Sequence, residues 1–209
     1  MRNRSTAELA ARLLLAWLAV SVLAGLAGHH LIAALLPVFT FVVKAASPEL
    51  VPRLDIAVRN HEYMLELSFW TTRPIPLGDH MVLAAFSRFE NAATHVSHTL
   101  APATILLVPV LAWPARTLAE WSVRTVLALP LLLLLLAVTA PLLLSGRVEL
   151  TLLEMQARYG ASPAAPLLVA WVIFLESGGR WLLPIVGAAS CIAAAGQLVR
   201  HAGQSRSMS

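Results

Sequence analysis

Few side chains in this sequence combine the type and the spacing that chemistry needs. His95-Val96-Ser97-His98 sets two imidazoles three positions apart, one face if the segment is helical, and zinc takes three or four nitrogen, oxygen or sulfur ligands. Glu90 or His80 would have to complete such a site. Neither a His-Glu-x-x-His pattern nor a distant cysteine pair accompanies it, so the two are read as solvated interface histidines, with a metal centre at His95 and His98 as the competing reading. His29 and His30 sit inside an apolar run, where an ionisable group is costly and can mark a proton or metal path. Adjacent residues face different sides of a helix, which favours a simple polar break over a shared ligand. Glu176 and Arg180 lie four apart around Ser177-Gly178-Gly179. If the segment is helical they form an ion pair, and if the glycines unwind it Arg180 is placed to hold a phosphate, a carboxylate or a partner helix. Cys191 has Ser190, Ile192 and alanines around it and no activating base before His201, so it reads as a packed, inert thiol.

The elements that would position these groups are membrane elements. Val126 to Leu144 contains no charge and six consecutive leucines, and a helix of that length covers the roughly 30 Å hydrocarbon core of a bilayer. The 209 residues are 58% hydrophobic and 12% charged, about half the charge of an ordinary soluble domain. A pI near 10.2 would suit a nucleic-acid binder, but the basic residues are scattered between apolar runs and form no stripe, so no nucleic-acid partner is expected. One cysteine permits no intrachain disulfide, and nothing in the sequence calls for a cofactor.

Four spans are expected, at about 13–36, 94–113, 126–144 and 181–199, in a single polytopic unit. The first follows Arg2, Arg4 and Arg12, with residues 37–46 as an interfacial continuation. A cleaved secretory signal is the alternative, with small residues at Gly25 and Ala27, although the apolar run continues to Val43. Pro102 and Pro109 would bend the second span, and Arg116, Glu120 and Arg124 occupy a short loop before the third. A helix bearing Glu154 is expected to stop at Gly160, and Glu176 to Arg180 should break the apolar run that starts at Leu167.

Between the first two spans the periodicity changes. Leu54, Ile56 and Val58 alternate with polar or small residues, as do Tyr63, Leu65, Leu67 and Phe69 beyond Asn60-His61, which predicts a β-hairpin. One face must be covered, since an isolated hairpin is marginal in water, and Met81 to Phe89 is a candidate for the cover. Arg73 to Asp79, with two prolines and a glycine, reads as an irregular connection. The fold class is therefore a mainly α membrane protein with a small extracytoplasmic β-hairpin.

Charge orients it. The termini and the 114–125 loop together carry +5, whereas segments 47–93 and 145–180, with Lys44, carry −1, which puts both termini in the cytoplasm and the two polar segments outside. This layout resembles the small four-span membrane proteins associated with bacterial exosortases, which handle sorting and export of proteins bearing a C-terminal membrane anchor. The resemblance covers most of the chain. It is carried by the arginine-led first span ending at Leu36-Pro37, the strand pair Leu54 to Phe69, the span pair Leu100 to Leu144 with its Arg116/Arg124 loop, and the outer helix before Trp181. It implies a non-catalytic accessory or assembly factor in the inner membrane, working with another polytopic protein, and it supplies no catalytic residue. The exosortases themselves carry more spans and a Cys, Arg, His set that this chain lacks. The competing class is a membrane metalloenzyme using His95 and His98.

Overall fold

A computed structural model describes residues 2–48, 50–72, 74–76, 82–83, 92–160 and 166–206. Helix α1 runs from Arg2 to Ala46 without interruption, taking in Pro37 and the stretch expected to lie at the interface. Strands β1 (Leu50–Arg59) and β2 (Glu62–Thr71) follow, then short strands β3 (Ile75–Pro76), β4 (Val82–Leu83) and β5 (Ala92–His95). The helices α2 (Val96–Ala112), α3 (Leu118–Arg158), α4 (Leu167–Phe174) and α5 (Arg180–Arg206) complete the chain, with a π-helical turn, Leu175–Gly179, joining the last two.

Three segments are long and apolar enough to cross a membrane: Thr6–Ala46, Leu118–Arg158 and Leu167–Ala202. In the third of these the break expected at Glu176 to Arg180 is present as a π-helical turn, Leu175–Gly179, with non-helical backbone at Gly178. The expected third span, 126–144, is the middle of a 41-residue helix, about 60 Å long at 1.5 Å per residue. Its stop is where the sequence put it. The amide of Gly160, at φ +84°, donates to the Ala157 carbonyl, and a side chain there would be strained.

The hairpin stands as expected. β1 and β2 pair antiparallel over their full length, and both turn residues, Asn60 and His61, have positive φ (51° and 66°), the geometry of the two-residue turns whose twist matches that of the strands. Leu54 faces Leu67 across the ladder, and Leu54, Leu65, Leu67 and Phe69 are buried on one face. The other face is charged. Asp55 and Glu66 stand directly opposite each other, a repulsive placement, and Arg53 (2.7 Å from Asp55) and Arg59 (on Glu66) relieve it.

Two local expectations need correction. Residues 92–95 do not begin the second span. They form β5 on the free edge of β2, with Thr94 opposite Leu65, because β2 presents unpaired amides and carbonyls on that side and a third strand satisfies them. Ile75–Pro76, within the connection expected to be irregular, pairs with Val82–Leu83 in a two-residue ladder. Proline is tolerated in so short and peripheral a strand. Most of the Met81 to Phe89 segment, together with His80 and Glu90, lies outside the described residues.

The chain divides into two compact units. The first comprises residues 1–27, 100–135 and 181–209, and its core is formed by Leu106 and Val110 of α2, Ala128 and Leu135 of α3, and Ala188 and Cys191 of α5. Small residues let the helices approach: a methyl group at Gly187 would lie 2.8 Å from the Leu131 side chain. The second unit comprises residues 28–99 and 136–180. Gly28, Ile32, Phe39 and Val43, spaced along one face of α1, are buried there with the apolar face of the sheet. Gly146 of α3 lies so close to α4 that an added Cβ would stand 2.7 Å from the Leu168 carbonyl oxygen.

Candidate functional site

Two groups of polar side chains in the second unit bear on function, one at the π-turn and one on the sheet. In the π-turn, Gly178 takes φ +119°, a conformation open to glycine and costly for any other residue, so the helix register slips by one position before α5 begins. The slip redirects Glu176. Its carboxylate accepts a bond from Arg147 of α3 at 2.9 Å, across 29 residues of sequence, and both side chains are about half exposed. Thus Arg147 ties α3 to the turn. Arg180, at the first position of α5, is half-buried and held by interactions of its own. Trp171 of α4 adds a second tie, its indole N–H donating to the Val138 carbonyl at 2.9 Å. Gly179 is buried against the ring of Phe174, which leaves no room for a larger residue.

At the sheet, His95 ends β5 and His98 lies in the first turn of α2, so the two do not share one helix face. Their rings are 5.2 Å apart. The Nδ1 of His95 is 2.8 Å from the Glu62 carboxylate, on the charged side of the sheet. His29 stacks flat on Tyr63, with ring centroids 4.3 Å apart, and lies 3.8 Å from the His30 ring. Its position inside the first apolar run is therefore explained by an aromatic contact that no periodicity in α1 signals. Among the described residues, no three His, Cys, Asp or Glu side chains converge closely enough to hold a metal ion.

Among the described residues the most buried charge lies in the first unit, in the Arg116, Glu120 and Arg124 segment expected to be a short loop with helical i, i+4 spacing. Arg124 is completely buried. Its guanidinium donates to the Trp113 carbonyl (2.8 Å), the Val110 carbonyl (3.4 Å) and the Glu120 carboxylate (2.9 Å). The carbonyls belong to the end of α2, where the last turn of a helix leaves acceptors without intrahelical donors, so an arginine of α3 caps α2. Glu120 in turn accepts the Arg116 amide (3.0 Å), while its own amide donates to Thr117 Oγ1 (3.1 Å). Thr117-Leu118-Ala119-Glu120 is a capping-box pattern, and that is the signal which could have located this node in the sequence.

No family model, curated protein or solved structure matches the chain. The chemistry available is thus that of the arrangement itself: an exposed cation–anion bridge at a helix break, a charge-compensated sheet face, and a buried arginine that locks a helix turn.

Proposed function

We propose that the protein is an integral inner-membrane accessory or assembly factor of an envelope protein-sorting or export system of the exosortase-associated kind, acting by contact with a second polytopic protein. The observation that carries this reading is the pairing of membrane-length apolar helices with polar contact surfaces: the π-turn with its Arg147–Glu176 bridge, and the charged face of the sheet. Such surfaces suit recognition of a partner's polar loops.

In this reading α2 is the fourth span. At 17 residues it is about 26 Å long, a few ångströms short of the hydrocarbon core, and local thinning of the bilayer absorbs a mismatch of that size at modest cost. Its burial against α3 and α5 supports the assignment. The +5 against −1 charge split supports cytoplasmic termini and an outer location for the sheet and the π-turn. Glu176 and Arg180 are the candidate partner-binding residues, with Arg180 placed one residue beyond the turn.

Affinity purification of the tagged full chain from its native membrane, with identification of co-purifying polytopic proteins, tests this. Arg180→Ala should lose the partner while abundance in the membrane holds, Arg180→Lys should restore little because a point charge does not replace a planar fork, and Glu176→Ala should matter less. Full partner recovery with Arg180→Ala would remove the basis for assigning the contact to this turn.

A further inference from the structure

Within the first unit, α2 and α5 leave an apolar groove of about 330 Å³ between them. Pro109 and Trp113 form one wall, Ile185 and Ile192 the other, and the exposed alanines Ala189 and Ala193 keep it open. The volume is at the low end of the roughly 300–1,000 Å³ of small-ligand sites. A second helix, some 10–12 Å across with its side chains, does not enter a space of this size, whereas a single hydrocarbon chain does.

Two arginines lie close in sequence to groove-lining residues, Arg116 to Trp113 and Arg200 to Ala193. Arg116 lies three residues past Trp113, within about 11 Å even for a fully extended chain. Its amide is committed to Glu120, whose carboxylate its charge also attracts, while the residue is exposed and its guanidinium makes no hydrogen bond or ion pair among the described residues. Arg200 follows Ala193 by two helical turns on the same face. Its Nε donates back to the Gly196 carbonyl at 2.9 Å, which folds the side chain back along α5 to a level about 4.5 Å along the axis from Ala193. The only acid described in this corner, Glu120, is occupied by Arg124 and by the Arg116 amide. Two exposed arginines thus lie within three to seven residues of the groove-lining Trp113 and Ala193, and guanidinium forks match phosphate oxygens.

We infer that this groove binds one acyl chain of an anionic glycerophospholipid, whose phosphate is held by Arg116 and Arg200. The inference rests on the proposed membrane placement of α2 and α5, with Trp113 at the cytoplasmic interface, and does not depend on the partner protein. A tryptophan at that depth is the usual anchor between chains and headgroups, and here it also forms the groove wall.

The full chain is reconstituted into phosphatidylcholine vesicles containing a small fraction of either brominated phosphatidylglycerol or brominated phosphatidylcholine. Quenching of Trp113 is read as the difference between wild type and Trp113→Phe. An enrichment of the anionic lipid on the order of fivefold per arginine is expected. Arg116→Gln with Arg200→Gln should abolish the preference, and Ala193→Phe, at an exposed position, should fill the slot and reduce quenching by both lipids. Equal quenching by the two lipids in wild type, or a preference that survives in the double glutamine variant, overturns the inference. Flotation of the vesicles reports the membrane placement separately: protein that does not float defeats that placement and the site with it, whereas floating protein without lipid preference defeats the site alone.

Discussion

Replacing Arg124 by methionine removes the guanidinium while keeping much of the side-chain volume. The bond to the Trp113 carbonyl is charge-assisted and worth about 1.5–3 kcal/mol, and the 3.4 Å contact to Val110 adds little. Losing Arg124 also takes from Glu120 its ion-pair partner and leaves it the Arg116 amide, which adds to that cost. Against an overall stability of about 5–15 kcal/mol this is a large fraction. Arg124→Lys should recover only part of it, since one ammonium on a flexible stem does not span both the Trp113 carbonyl and the Glu120 carboxylate in the same geometry. The double variant Arg124→Met with Glu120→Met should be more stable than Arg124→Met alone, because no charge is then left without its partner. Unfolding of purified protein in mixed micelles, followed by tryptophan fluorescence, measures these differences, since Trp113 and Trp121 border the node. An Arg124→Met protein within about 1 kcal/mol of wild type, or a double variant no better than the single, would refute the view that a buried ion pair secures the α2–α3 turn.

Leu65 is fully buried between Ile56 and Thr94, so Leu65→Asp places an unpaired carboxylate in an apolar layer and should cost about 4 kcal/mol, while Glu66→Gln, on the charged face, should cost at most about 1 kcal/mol. Equal loss of protein from the membrane in the two variants would show that the faces are reversed. Gly146→Ala pushes a methyl group against the Leu168 carbonyl and the Val172 side chain and should cost about 1–3 kcal/mol by overpacking, measured as a lowered melting temperature in detergent. In a background with Cys191→Ala, cysteines at Asn60 and Gly160 should react with an impermeant maleimide in intact cells and a cysteine at Leu118 should not; labelling at 118 ahead of 60 would invert the proposed orientation.

The long apolar helices were legible without coordinates because their signal is local: an uninterrupted apolar run of membrane-spanning length is read from its own residues, whatever surrounds it. The hairpin was legible for the same kind of reason. Its two-residue alternation and an Asn-led turn that accepts positive φ together specify both pairing and register. What tertiary structure decided is whatever depends on a partner distant in sequence. Residues 92–95 carry no strong strand pattern and become β5 only because β2 has an edge to satisfy. Glu176 has an arginine four residues away, yet a register slip at Gly178 goes with its pairing to Arg147, 29 residues back. Residues 145–158, polar enough to read as a loop and a separate helix, continue α3 because Val148 on one side of it is buried. Arg124 reads in sequence as a charge of the short loop before the third span, and in one dimension nothing contradicts that. Only the folded chain brings the end of α2 against α3, where unsatisfied carbonyls and a capping-box glutamate make a buried guanidinium the group that completes them.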